Sequence, residues 1–215
     1  MMGKLHRLDG LVRHVLNQAP CQVFIETGTF HGESLEYAAR LPFDRIHSIE
    51  LSPQLHRAAA DRFAYDNRIT VHHGDSARVL PEVLAGLHEP ALIWLDAHYC
   101  FLDSARGPVD CPLLEEVEAI VAHERAAGLE HIVLIDDYHI FGTSPSSPWL
   151  VGDDITFVPE ADWSDITPER VRAGFCGGKQ FHVWADTLFA LPTWIQTADV
   201  AIPRDPFAEA RPVAG

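Results

Sequence analysis

The chain is poor in the features that would send it to a membrane or a nucleic acid. No apolar run approaches the roughly 18 residues that cross a bilayer. The segment Met1 to Arg13 is basic but lacks the apolar core of a secretory signal. Positive charge is scarce: 16 Lys and Arg stand against 31 Asp and Glu among 215 residues, a formal charge of −15. A phosphate backbone and an anionic lipid surface both need a concentrated basic face, so neither is an expected partner. The four cysteines, Cys21, Cys100, Cys111 and Cys176, have no zinc-knuckle or redox spacing. Cys100 and Cys111 can approach across a loop, but a reducing, cytoplasmic setting is the simpler expectation. Repeats and low-complexity tracts are absent too.

What is there is a globular composition, 47% hydrophobic and 22% charged, with 13 histidines. The length suits one domain, expected over residues 1–202 with a helix within 1–20, then a mobile tail at 203–215. Short apolar runs alternate with amphipathic ones. Val23-Phe24-Ile25 is a first strand ending on Glu26, and residues 32–41 read as a helix. Arg45 to Glu50 is a second strand, and Pro53 opens a helix with Leu55, Ala59 and Phe63 on one face. Ile69 to His72 is a third strand, followed by a helix capped by Ser76. Ala91 to Leu95 ends on Asp96; Pro112 opens a long helix closed by Gly128; Ile132 to Ile135 ends on Asp136 and Asp137. These βα alternations with nearly all-apolar strands predict an α/β fold, a doubly wound and mostly parallel sheet with helices on both faces. Residues 142–162 read as a long loop, and 181–191 as a C-terminal antiparallel hairpin.

Ligands of such sheets sit beyond the carboxyl ends of the strands. Here those ends carry Glu26, Glu50, Asp75, Asp96, Asp136 and Asp137. Carboxylates are costly to bury, so their convergence points to a ligand. The first turn, Glu26-Thr27-Gly28-Thr29-Phe30-His31-Gly32-Glu33-Ser34, has neither the G-x-G-x-x-G dinucleotide fingerprint nor the Lys-Ser/Thr of a phosphate loop. A glutamate before the turn repels phosphate and suits a cationic or amine-bearing cofactor. Glu50 lies 22 residues after Gly28, where an acid can accept from ribose hydroxyls. Asp75, in His73-Gly74-Asp75-Ser76, can take the exocyclic amine of adenine.

In their order and spacing these elements resemble the class I S-adenosylmethionine-dependent methyltransferases, over about residues 20–192. Val23 to Thr29 is similar to that family's acidic-x-G-x-G motif, with Thr29 in place of the second glycine. The resemblance implies seven strands in the order 3-2-1-4-5-7-6. It implies that Glu26, Thr27, Gly28, Thr29, Gly32 and Ser34 surround the methionine part of S-adenosylmethionine. Glu50 would hold the ribose, and Asp75 with Ser76 the adenine; Asp96 lies beside the cofactor.

The chemistry is expected at two further stretches, Asp96-Ala97-His98-Tyr99 and Asp136-Asp137-Tyr138-His139. Adjacent parallel strands lie about 5 Å apart, so Asp96, Asp136 and Asp137 can share a divalent cation, Mg²⁺ or Mn²⁺. This resembles the metal site of macrocin-type O-methyltransferases, which bind vicinal hydroxyls. The implied activity is metal-assisted O-methylation of a hydroxylated small molecule, a sugar or a natural-product scaffold. His98 is the first choice for general base, His139 the second, and Asp96 completes the catalytic set. Two other functions stay open: a non-catalytic cofactor-binding protein on the same fold, and a metal-dependent hydrolase using the Asp/His cluster. Oligomerisation with a second copy is compatible with either. Trp149, Trp163 and Phe175, with the segment 100–111, are expected to form acceptor lids. His131 and His123 read as solvated surface, and His182 as exposed.

Overall fold

The computed structural model describes residues 5–99, 104–145, 149–151, 155–157, 161–197 and 211–212. A short 3₁₀ turn, Leu5–Leu8, leads into α1 (Asp9–Gln18). Four βα units and a fifth strand follow: β1 (Val23–Thr27), α2 (Glu33–Ala39), β2 (Arg45–Glu50), α3 (Pro53–Phe63), β3 (Ile69–His73), α4 (Ser76–Ala85), β4 (Ala91–Leu95), α5 (Leu113–Ala127) and β5 (Ile132–Ile135). The chain continues through β6 (Trp149–Val151), β7 (Ile155–Phe157), α6 (Pro168–Gly174), β8 (Lys179–Trp184), β9 (Thr187–Pro192) and β10 (Arg211–Pro212).

The main sheet has seven strands in the order β3-β2-β1-β4-β5-β9-β8. That is 3-2-1-4-5-7-6 once the hairpin strands are counted as sixth and seventh. Strands β1 to β5 pair in parallel, and β9 pairs antiparallel with both β5 and β8. Strand alternation sends Val23, Ile25, Ile93 and Val133 to one face with residues of α4, α5 and α6. Phe24, Ile46, Trp94 and Leu134 go to the other with α1, α2 and α3. Both faces are covered, which is why the central strands read as unbroken apolar runs.

Four expectations change. Residues 142–162 are not one loop: β6 and β7 pair antiparallel, and β10 from the C-terminal segment adds to β6. The cap of α4 is Asp75, whose carboxylate accepts from the Ala77 N–H at 3.1 Å; Ser76 is the first helical residue. His131 is not solvated. It is 0% exposed and packed under the amino ends of β4 and β5, where a turn residue faces inward because Ala91 N–H needs an acceptor. His182 is partly buried and stacks on Trp184 at 4.6 Å.

Candidate active site

The carboxyl edge of the sheet gathers the acids in two groups. The first surrounds the β1 turn. Gly28 has φ +81°, and a Cβ there would lie 2.4 Å from the Asp96 carbonyl oxygen. Only glycine lets β1 and β4 approach this closely. Gly32, also at positive φ, caps α2, and Ser34 is buried in its first turn. Glu26 is buried and accepts from the Ser48 hydroxyl at 2.5 Å; Thr29 Oγ1 meets the same hydroxyl. Burial pushes the Glu26 carboxyl up to about 8, against the pull of Ser48 and with the help of nearby Glu50. Glu50 takes two backbone N–H groups, Phe30 at 2.8 Å and Ser52 at 2.7 Å, one on each oxygen. Each oxygen keeps a second lone pair for a ligand hydroxyl.

The second group lies past β4 and β5. Asp96 N–H extends the ladder to Thr27 O, and Asp136 N–H to Leu95 O, so the acids sit on one line. His98 stands between two of them: Nδ1 is 3.6 Å from Asp96 Oδ1, and Nε2 is 3.2 Å from Asp137 Oδ2. Asp96, His98 and Asp137 each offer a ligand atom, and these lie within 4.8 Å of one another. Asp137 reaches this position through a left-handed backbone, φ +53°. Asp136 is buried beside the group but is not a member of it. The trio that the structure brings together therefore contains His98 where the sequence suggested Asp136.

Asp137 also belongs to a second group with His139 and Asp186. Asp186 Oδ2 is 2.9 Å from His139 Nδ1, and its other oxygen accepts the His139 backbone N–H at 2.8 Å. Asp186 is 1% exposed and sits in the two-residue turn between β8 and β9, where Ala185 and Asp186 both have positive φ. Non-glycine residues adopt that pair of conformations at a cost, met here by the bonds Asp186 makes.

Two residues were missed from sequence. Asp186 is 47 positions from His139, so only the hairpin's docking on β5 joins them. Glu116 had a signal. It lies three residues after Leu113 and four before Ile120, on the buried stripe of α5. It is 1% exposed. Burial pushes its carboxyl up to about 7, against the pull of the Ser76 and Thr27 hydroxyls.

Trp163 is buried and meets the His98 ring edge-on at 5.0 Å, as a wall of the site rather than a lid. Phe175 packs in the core against Phe181. The Trp149 side chain, Cys100 and Asp103 lie outside the described residues. In the rest of the 100–111 segment, Arg106 pairs with Asp110 at 2.6 and 2.8 Å, and Asp110 accepts from the Asp162 N–H.

No family model and no curated protein matches the chain. Solved structures do. One is the SAH-bound methyltransferase PaMTH1 of Podospora anserina, with TM-score 0.53, 15% identity, and coverage of 89% of this chain and 79% of that one. SAM-bound CalS10 of Micromonospora echinaspora, an amino pentose methyltransferase, has TM-score 0.53 at 16% identity, covering 89% and 92%. An SAH complex of an O-methyltransferase of Bacillus cereus has TM-score 0.50 at 14% identity, covering 90% and 82%. The chain has the class I methyltransferase fold. On that fold, the β1 turn with Glu26 and Gly28, and the ends of β4 and β5, form one continuous edge. Among the described residues, no helix is long and apolar enough to cross a membrane.

Proposed function

We propose that the protein is an S-adenosylmethionine-dependent O-methyltransferase acting on a hydroxylated small molecule, a sugar or natural-product scaffold, with a divalent cation, Mg²⁺ or Mn²⁺. The observation that carries this is the Asp96–His98–Asp137 group beside a glycine turn packed onto the Asp96 carbonyl. Among the similar structures, CalS10 acts on an amino pentose and the Bacillus cereus protein is an O-methyltransferase. Two carboxylates and an imidazole fit Mn²⁺ or Mg²⁺, and Asp96, His98 and Asp137 would hold the ion. When bound, the cation lowers the pKa of a hydroxyl, and S-adenosylmethionine supplies the methyl group.

The chain's own residues do the rest. Glu26, Thr27, Gly28, Thr29, Gly32 and Ser34 flank the methionine side, Glu50 takes the ribose hydroxyls, and Asp75 with Ser76 bounds the adenine side. His98 has a carboxylate near each ring nitrogen, which suits a ligand better than a base. His139 suits the base: Asp186 holds its Nδ1 proton and fixes the ring, leaving Nε2 as the basic nitrogen. Trp163 shelters His98 from water. The cysteines Cys21, Cys111 and Cys176 are free thiols, consistent with a cytoplasmic setting.

Calorimetry with S-adenosylmethionine tests the cofactor. Glu50→Ala should weaken binding by about tenfold or more, and unchanged affinity would overturn its role. Methyl transfer to a library of hydroxylated compounds with Mg²⁺ or Mn²⁺ tests the chemistry. His139→Ala should cut turnover by roughly 10²–10⁴, and near-normal turnover removes it as base. Metal binding without cofactor affinity would instead favour the hydrolase.

A further inference from the structure

Neither the cation nor the base accounts for Glu116. A carboxyl group 99% withdrawn from solvent on the apolar stripe of a helix carries the full cost of desolvation unless its oxygens are met. Its side chain is 1% exposed, and Oε1 has no hydrogen-bond partner among the described residues. The carboxyl group does meet the hydroxyls of Ser76 and Thr27, at the start of α4 and the end of β1. Those two segments are the ones that flank the proposed cofactor. Glu116 also lines a cavity with Ala97, Leu113 and Trp163 that borders the proposed cation group through Asp96 and His98, with Asp136 beside them. The room there is that of roughly one water, which admits the tip of a ligand and not a ring. The other acid on the adenine side, Asp75, already spends one oxygen as the cap of α4.

We infer that Glu116 Oε1 accepts a hydrogen bond from the exocyclic amine of the adenine, and so selects a 6-amino purine nucleoside over a 6-oxo one; this rests on the cofactor proposed above. The amine is a single-atom donor on the purine edge, matched in size to the cavity. A 6-oxo purine presents a carbonyl at the same place, so acceptor would face acceptor. A site with a buried acceptor discriminates strongly against a ligand that lacks the donor, because the acceptor is left unpaired.

The test is calorimetry of the full chain with S-adenosylhomocysteine and with its 6-oxo analogue, S-inosylhomocysteine. Wild type should bind the adenine form about 10- to 100-fold more tightly. Glu116→Gln keeps the shape and adds an N–H donor suited to the 6-oxo group, so the preference should shrink to within about threefold or reverse. A thermal melt checks that the variant is folded, and the wild-type ratio stands independently of it. Equal binding of both ligands by wild type overturns the inference. So does full discrimination in folded Glu116→Gln, which would leave Oε1 to an ordered water. Discrimination lost in Asp75→Asn but kept in Glu116→Gln gives the amine to Asp75 and also overturns it. Wild type that binds neither ligand fails the cofactor proposal itself, a distinct result.

Discussion

Two buried polar clusters sit at opposite ends of the same strands, and they are built on opposite principles. Under the amino ends of β4 and β5, Lys179 Nζ donates to Glu124 Oε1 and to His131 O, both at 2.6 Å. The His131 backbone N–H donates to the same glutamate oxygen at 2.6 Å. His131 Nδ1 accepts the Ala91 N–H, so its Nε2 carries the proton toward His123 Nδ1, and His123 Nε2–H reaches Leu87 O. Both ring nitrogens of His131 and of His123 have partners, and the charges of Lys179 and Glu124 are of opposite sign. At the carboxyl ends charge of one sign gathers: Glu26, Glu50, Glu116, Asp96, Asp136 and Asp137 crowd one edge, where a serine hydroxyl meets Glu26, backbone N–H groups meet Glu50, and His98 lies between Asp96 and Asp137. Left-handed residues, Asp137, Ala185 and Asp186, also gather there. A network of complementary charge holds a fold together; a gathering of like charge at a sheet edge costs stability and is the pattern of a functional site.

Three substitutions can break this contrast. The largest effect should come from Asp137→Ala. It removes the acid shared by both Asp/His groups, so turnover should fall by roughly 10²–10⁴, while relief of like charge leaves the melting temperature unchanged or higher. A large fall in melting temperature would show that Asp137 is structural. Next, Lys179→Ala leaves the part-buried Glu124 without its counter-charge, with the His131 N–H still donating to it. Breaking such a pair costs about 3–5 kcal/mol, so thermal unfolding should shift down by roughly 6 °C or more, with cofactor affinity of the folded fraction unchanged. If affinity fell instead, the two clusters would be coupled.

The smallest effect concerns pH. Glu26 has a folded pKa raised to about 8, so the folded state holds its proton where the unfolded state does not. Its cost grows as pH rises from about 4.5 to 8. His131 runs the other way: burial, with His123 and Lys179, pushes it down to about 3, so stability is lost as pH falls below about 6.5. Glu26→Gln should therefore raise the melting temperature at pH 8 by about 2–4 °C per kcal/mol relieved and leave it unchanged near pH 4. Equal shifts at both pH values would show that the carboxyl is not held neutral.

The strands were legible because their physics is local. Apolar runs ending on acids, Pro53 and Gly128 at helix ends, and glycine in the β1 turn all act within a few residues. The strand order followed from resemblance, and the acids at strand ends followed from position alone. What tertiary structure decided was which side chains meet. Nothing near His139 in sequence announces Asp186, and nothing separates His98 from Asp136 as the third member of the trio. The positive φ at Asp137 turns its carboxylate toward His98, and that conformation is held by the docked hairpin. Glu116 was visible as an acid on an apolar stripe, yet its purpose depends on a cavity formed by β4, α5 and Trp163, which are distant along the chain. His131 is the converse: a turn histidine by sequence, it is buried because an unpaired backbone N–H at the start of β4 required an acceptor there. Local pattern sets the elements and their ends; the pairing of buried polar groups is settled only when distant segments pack, because each unmet donor or acceptor costs more than the sequence around it can express.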